Sequence, residues 1–218
     1  MTKKIYPESG VELSDFISRN YDRIMNIGSF GLYDGFIKKT IHNIGIQPDD
    51  HILDLGCGTG RNARLMSRYL HESGYITGVD ISDNMERQFN LNFKKDKRVE
   101  FRRQRIDVPF DLQKTYSKTF ISFVIHGFPH EIRSIVIQNA FNHLKPGGSF
   151  HILDFAEFDM DAMPCVHRFV FKKIECKYAF DFIKRNWKEI LKEYGFDHFT
   201  EYFYFKKYAR LLSAYKSA

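Results

Sequence analysis

The stretch His51-Ile-Leu-Asp-Leu-Gly-Cys-Gly-Thr-Gly60 constrains this chain more than any other. The apolar run Ile52 to Leu55 reads as a strand, the alternating glycines as a tight turn, and Arg61 to Leu70 as a helix. Glycines let the backbone take φ > 0 and let a ligand lie against the main chain. Asp54, at the end of the strand, is expected to point into the turn, where a carboxylate suits a cationic amine better than a phosphate. A phosphate loop would also need a Gly-Lys-Ser/Thr ending, which is absent. A dinucleotide fingerprint wants its third glycine one place later, where Arg61 stands.

The alternation continues downstream. Tyr75-Ile-Thr-Gly-Val-Asp80 reads as a second strand after a helix ending at Gly74, and Asp80 lies 20 residues past Gly60. An acid so placed can accept both hydroxyls of a ribose. Asp83 is the candidate N-cap of the next helix, with Met85 and Phe89 on its apolar side. Val99 to Arg103 and Lys118 to Ile125 read as the third and fourth strands. His126 then falls at a strand end, where ligands gather in open α/β sheets. His130 and Glu131 open a helix that the breaker Pro146-Gly-Gly148 stops, and Ser149 to Asp154 is the fifth strand. Trp187 to Tyr194 is a helix closed by Gly195, followed by strands over Phe196–Phe205 and Tyr208–Tyr215. Upstream, Ser14 to Asn20 and Phe36 to Ile44 read as helices, the first capped by Ser14, and Pro48-Asp-Asp50 as a turn.

At Asp54-Leu-Gly-Cys-Gly-Thr-Gly60 the chain resembles class I S-adenosylmethionine-dependent methyltransferases. Tyr21-Asp22, Met25-Asn26, Ser29-Phe-Gly31, Ile121-Ser-Phe-Val-Ile-His-Gly127 and Lys145-Pro-Gly-Gly148 narrow the resemblance to the C-methyltransferases of ubiquinone/menaquinone biosynthesis. Tyr33 and Phe36 stand where that subfamily has His and Trp, and Asp154 where it has Glu. The resemblance implies an α/β fold: a Rossmann-like, seven-stranded open sheet, mostly parallel with an antiparallel edge strand, and helices on both faces. It implies one domain over residues 1–218, with covering helices in 1–47, a donor-binding core in 48–156, a substrate-lid insert in 157–184, and a helix with a strand pair in 185–218. The implied cofactor is S-adenosyl-L-methionine, leaving S-adenosyl-L-homocysteine as product. Its implied contacts are Tyr21, Asp54, Gly56, Cys57, Gly58, Gly60, Asp80, Ile81, Met85, Gln104, Arg105 and Asp107. Aligned on Pro109-Phe110, the family's adenine-reading acid falls on Gln104, with Asp107 the competing candidate. Phe30, Tyr33 and Phe169 are implied acceptor contacts, and no metal is implied.

Composition sets the remaining bounds. With 218 residues, 43% of them hydrophobic, the chain suits a single domain with a sizeable core. The 22 Phe residues hint at an apolar pocket as well. No apolar run reaches 18 residues, and the start lacks an apolar signal core. Cys57, Cys165 and Cys176 make no paired framework, so a reducing cytoplasm is the expectation; a thiol trio that binds arsenite is a remote alternative. The charge of +6 favours anionic partners, either an acidic membrane surface contacted peripherally or nucleic acid.

The leading reading is in-line methyl transfer to a small aromatic or lipidic, quinone-like acceptor. A proton must leave such a ring, and His126 is the first candidate base, His130 the second. RNA or another small molecule as an N- or O-acceptor is the alternative within the class, although Phe128-Pro-His130 does not supply the Asn/Asp-Pro-Pro-Tyr/Phe stretch of exocyclic-amine methylases. A non-catalytic donor-binding protein is the alternative outside it.

Overall fold

The computed structural model describes Tyr6, Ser9 and residues 32–218. The expected helix at Ser14 to Asn20, and the candidate residues Tyr21 and Phe30, lie outside the described residues. The helices are α1 (Leu32–Asn43), α2 (Arg61–Met66), α3 (Asp83–Asn92), α4 (His130–His143), α5 (Cys165–Ile174), α6 (Lys177–Phe182) and α7 (Trp187–Glu193). The strands are β1 (His51–Leu55), β2 (Tyr75–Asp80), β3 (Val99–Arg103), β4 (Tyr116–Ser122), β5 (Leu144–Phe155), β6 (Phe196–Tyr204) and β7 (Ala209–Lys216). They form one sheet in the order β3-β2-β1-β4-β5-β7-β6. Strands β1 to β5 pair in parallel, and β7 runs antiparallel to both β5 and β6. The antiparallel pair closes one side of the sheet as expected, with the reversed strand one place in from the edge.

Period-two alternation sends neighbouring residues to opposite faces. Ile52, Phe120, Leu153 and Leu211 pack under one apolar layer with Ile37 and Ile41 of α1, Ala63 and Met66 of α2, and Phe89 of α3. Leu53, Ile121, Ile152 and Leu212, one residue along each strand, pack under the other with Val136 and Ile137 of α4, Phe182 of α6, and Trp187 and Leu191 of α7. Helices thus cover both faces.

Several boundaries differ from the sequence reading. Helix α1 starts four residues before Phe36, and α2 gives way to a 3₁₀ turn over Ser67–Tyr69, well short of Gly74. The N-cap of α3 is Ser82, whose Oγ accepts from Met85 N, and Asp83 is the first helical residue. Helix α4 ends at His143, before Pro146, and the chain enters β5 directly. Strand β4 stops at Ser122 because Phe123 takes φ 51°, which breaks the extended run and starts a 3₁₀ turn over Ile125–Gly127. Among the described residues no helix is long and apolar enough to cross a membrane.

Candidate functional site

The carboxyl ends of β1, β2 and β4 surround a small, open cavity of about 70 Å³. Gly56, the first residue of the glycine turn, lines it. Gly56 N and Cys57 N both donate to Val79 O, at 2.9 and 3.0 Å, which binds the turn to β2. Gly60, with φ 79°, is the residue that requires glycine most: a Cβ there would sit 2.5 Å from the Phe93 ring and 2.7 Å from Phe89. Cys57 is buried, and a Cβ on Gly78 would lie 2.7 Å from its Sγ, so the thiol fills the space between β1 and β2.

The carboxylate of Asp80 lines the cavity, held by Gly58 N on Oδ2 at 3.1 Å and Ser82 N on Oδ1 at 3.0 Å. Each oxygen keeps a lone pair for a ligand. Burial raises its pKa, and those backbone donors oppose the rise. Asp54 lies beneath the turn, 1% exposed, and among the described residues its Oδ2 has no hydrogen-bond partner. Burial first, and the charge of Asp80 second, push the Asp54 carboxyl up to about 7. A buried polar atom left without a partner costs free energy, so this oxygen is poised to receive a donor group or a cation. It does not itself line the cavity.

The opposite wall combines apolar and polar groups. Ile81, Ile106, Val124 and Phe128 present apolar surface, and Gln104 and Asp107 the polar side chains. Gln104 Nε2 donates to Arg105 O at 2.9 Å. Arg105 grips Asp107 in a bidentate pair, Nε to Oδ1 at 3.0 Å and Nη2 to Oδ2 at 2.7 Å. Tyr6 Oη donates to Asp107 Oδ2 at 2.8 Å while its ring lies edge-on to Phe128, and Ser9 Oγ donates to Gly127 O at 2.6 Å. Burial alone would raise the Asp107 pKa, but the hydrogen bonds from Arg105 and Tyr6 outweigh it and hold the carboxyl below its ordinary value. Burial and the Asp107 hydrogen bond push the Tyr6 phenol up to about 12. Met85 is buried in α3 behind the turn, its Sδ 3.9 Å from where a Cβ on Gly58 would stand.

A second polar group stands one turn away. His126 sits in the 3₁₀ turn after β4, between the cavity-lining residues Val124 and Phe128, without lining the cavity itself. Its Nδ1 is 2.8 Å from Asp154 Oδ1 at the end of β5, and its Nε2 is 3.5 Å from Glu175 Oε2, the residue after α5. Burial alone would lower the imidazole pKa, but the carboxylates of Asp154 and Glu175 outweigh it and raise it to about 10. His126 is therefore an imidazolium at neutral pH. Behind it the buried Arg133 of α4 donates through Nη2 to His126 O at 3.0 Å and through Nη1 to Asp181 of α6 at 2.7 Å, and it also bonds Tyr178 O. That guanidinium, stacked within 5.2 Å of the Phe182 ring centroid, ties the His126 turn to α6.

The other sequence candidates fall elsewhere. His130 opens α4 beside Trp187, its pKa lowered by burial and by Arg185 and Arg133. Tyr33 takes part in the first turn of α1. Phe169 points outward from α5, 64% exposed, because the buried edge of that helix carries Phe171, two residues and about 200° away. Cys165 opens α5, Cys176 lies beyond its other end, and the ten-residue helix between them is about 15 Å long, so these two thiols do not meet, and no trio assembles with buried Cys57. Sequence reasoning missed Tyr6, Val79, Ile106, Val124 and Phe128. The last two flank His126 and were within its reach; Tyr6 meets Asp107 across 101 residues and leaves no local signal.

Three comparisons bear on this geometry. The model of the ubiE/COQ5 methyltransferase family matches residues 7–194. The chain is 26% identical over 164 residues to a demethylmenaquinone methyltransferase of Lysinibacillus sphaericus, covering 75% of this chain and 69% of that protein. It is 28% identical over 166 residues to a demethylmenaquinone methyltransferase of Lactiplantibacillus plantarum, covering 74% of this chain and 69% of that protein. In fold it is similar to a SAM dependent methyltransferase from Aquifex aeolicus, with a TM-score of 0.59 at 18% identity, covering 82% of this chain and 88% of that one. With a glycine turn, an acid at the end of β2 and an orphaned carboxylate oxygen beneath the turn, the chain belongs to the ubiE/COQ5 methyltransferase family and is an S-adenosylmethionine-dependent methyltransferase.

Proposed function

We propose that the acceptor is a reduced quinone-type ring carrying an apolar tail, and that the methyl group goes to a ring carbon. The relatives named demethylmenaquinone methyltransferases support the acceptor class. The observation that carries the reading is the placement of His126, paired with Asp154, in the turn between two cavity-lining residues and beneath the α5–α6 insert.

In this reading the glycine turn and Asp54 hold the methionine end of the donor, and Asp80 takes the ribose hydroxyls. Ile81, Ile106 and Phe128 enclose the adenine, Gln104 and Asp107 stand at its polar edge, and Tyr6 closes over it. The donor supplies a sulfonium methyl whose bond to sulfur breaks as the bond to carbon forms, leaving a neutral thioether. Positioning of the reactants can supply about 7–11 kcal/mol of the barrier. What remains for the chain is the ring proton. An imidazolium at neutral pH does not accept one, so His126 acts as base only after Glu175, carried at the end of α5, leaves its Nε2. Until then Asp154 and Glu175 engage both ring nitrogens, and His126 holds its turn in place.

The test is label transfer from methyl-labelled donor to a short-tailed demethylquinol kept reduced, with donor affinity measured in parallel. Methylation at the ring carbon supports the proposal. Donor binding without methylation of any quinol, alongside label in an RNA fraction, would replace the acceptor class.

A further inference from the structure

The antiparallel register places β6–β7 so that Phe155, at the carboxyl end of β5, pairs with Ala209 at the start of β7. The turn between β6 and β7 therefore lies at the carboxyl edge of the parallel strands, the same edge that carries the cavity. The insert leaves the sheet at that edge too, and the two meet: the Tyr208 ring is 5.9 Å from His167 of α5 and 5.0 Å from Phe158. Both present apolar side chains to solvent, with Val166 72% and Phe169 64% exposed on α5, and Phe203 46% and Phe205 52% exposed at the hairpin tip.

Lysines surround these side chains. Lys172 and Lys173 lie on α5 and Lys206 and Lys207 on the tip, all exposed. Lys173 Nζ stands 5.9 Å over the Phe169 ring and Lys207 Nζ 5.9 Å over Phe203. The nearby acid Asp161 is taken by Arg168 at 3.2 Å, whereas none of these four lysines has an ion pair among the described residues. The tip is also strained. Phe205, Lys206 and Lys207, none of them glycine, take φ of 48°, 55° and 72° in succession. Backbone held in that region persists where its surroundings over-determine it, and such residues cluster at functional sites.

We infer that α5 and the β6–β7 tip form a docking surface for an anionic lipid bilayer, seating the aromatic side chains at the headgroup level with the lysines against lipid phosphates. Exposed aromatic rings ringed by lysine match the chemistry of that interface. The inference rests on the reading of a lipid-dissolved acceptor, since it sets the carboxyl edge of the sheet, which carries the cavity, against the phase that holds such a molecule.

The experiment uses the full chain and vesicles of phosphatidylcholine alone or mixed with phosphatidylglycerol, read by co-sedimentation. Binding to the mixed vesicles, weaker on phosphatidylcholine and weakened by salt, is expected. The double variant Lys206→Glu/Lys207→Glu should lower the partition coefficient at least about 25-fold, at about fivefold per lysine. Lys94→Glu/Lys95→Glu, the same charge change at the amino edge of β3, should change it far less. Val166→Ser/Phe169→Ser should weaken binding at high salt, where charge is screened. Equal losses in both lysine pairs would reduce the effect to net charge and overturn the docking surface, as would failure to bind either vesicle. Sedimentation velocity without vesicles covers the other occupant: an oligomer that Val166→Ser/Phe169→Ser dissociates would assign this face to a second copy and overturn the inference. Lys206→Glu/Lys207→Glu should keep donor affinity and turnover of a short-tailed quinol, so loss of vesicle binding is separable from failure of the acceptor reading.

Discussion

Asp54→Asn should move stability and donor affinity in opposite directions. The Asp54 carboxyl titrates at 3.8 without its environment and at about 7 in the fold. The folded state therefore holds a proton through a pH range in which the unfolded chain has released it. Below pH 3.8 both states are protonated and Asp54 costs nothing. As pH rises to about 7 the penalty grows, and above that it is constant. At 1.36 kcal/mol per pH unit it amounts to about 2 kcal/mol at pH 5 and about 4 kcal/mol at pH 8, both upper values. Asparagine is isosteric and never charges, so the donor-free variant should gain on the parent by about 2–3 kcal/mol more at pH 8 than at pH 5. For a domain of this size that is roughly 4–12 °C in Tm. The same change removes the anion proposed to face the donor's ammonium, and a lost charge-assisted hydrogen bond predicts about 1.5–3 kcal/mol weaker donor binding. Parent affinity should fall below pH 7 as Asp54 protonates, and again above about 8 as the donor's amine loses its proton. Thermal denaturation at both pH values, with calorimetric titration of donor, measures all of this. A variant whose Tm advantage is the same at pH 5 and pH 8 would refute the buried, titrating carboxylate; unchanged donor affinity would remove Asp54 from the site.

Asp80→Ala should weaken S-adenosylmethionine and S-adenosylhomocysteine alike, by about 1.5–3 kcal/mol, because both contain the ribose; calorimetry with the two ligands checks it. Glu175→Gln removes one of the carboxylates that raise His126, so the histidine should titrate closer to neutrality, and the acid limb of the turnover profile should shift to lower pH; an unmoved profile would take His126 out of the proton transfer. His126→Ala with donor affinity intact and turnover lost supports the same role, whereas normal turnover leaves positioning as the whole of catalysis. Gly60→Ala forces a Cβ to within 2.5 Å of Phe93 at φ 79°, and should cost at least about 1–3 kcal/mol of stability by denaturant titration.

Strand β2 was legible to the residue, because an apolar run ending in Asp and bounded by turn residues has one interpretation. The glycine turn was legible for the same reason: spacing alone defines it. Strand β4 was overrun because Phe123, Val124 and Ile125 are as apolar as the strand before them, and the positive φ of Phe123 has no signature in an aromatic residue. The setting of His126 was not legible either. Its partners Asp154 and Glu175 lie 28 and 49 residues downstream on separate elements, and their combined charge turns an expected base into a cation. Tyr6 is the extreme case, since one aromatic residue ahead of the first strand carries no periodicity to read.

The placement of β7 between β5 and β6 has a consequence for how the protein is made. Synthesis proceeds from the amino end, so β6 emerges from the ribosome before the strand that will hold it. During that interval β5, whose central residues are fully buried in the finished sheet, presents an open edge of unpaired amides on one side. The sheet closes only when β7 slips in, running against both neighbours, and its arrival both seals β5 and recruits β6. A nascent chain halted after Tyr204 should be a poor folder that chaperones hold, and one extended past Lys216 should complete the sheet.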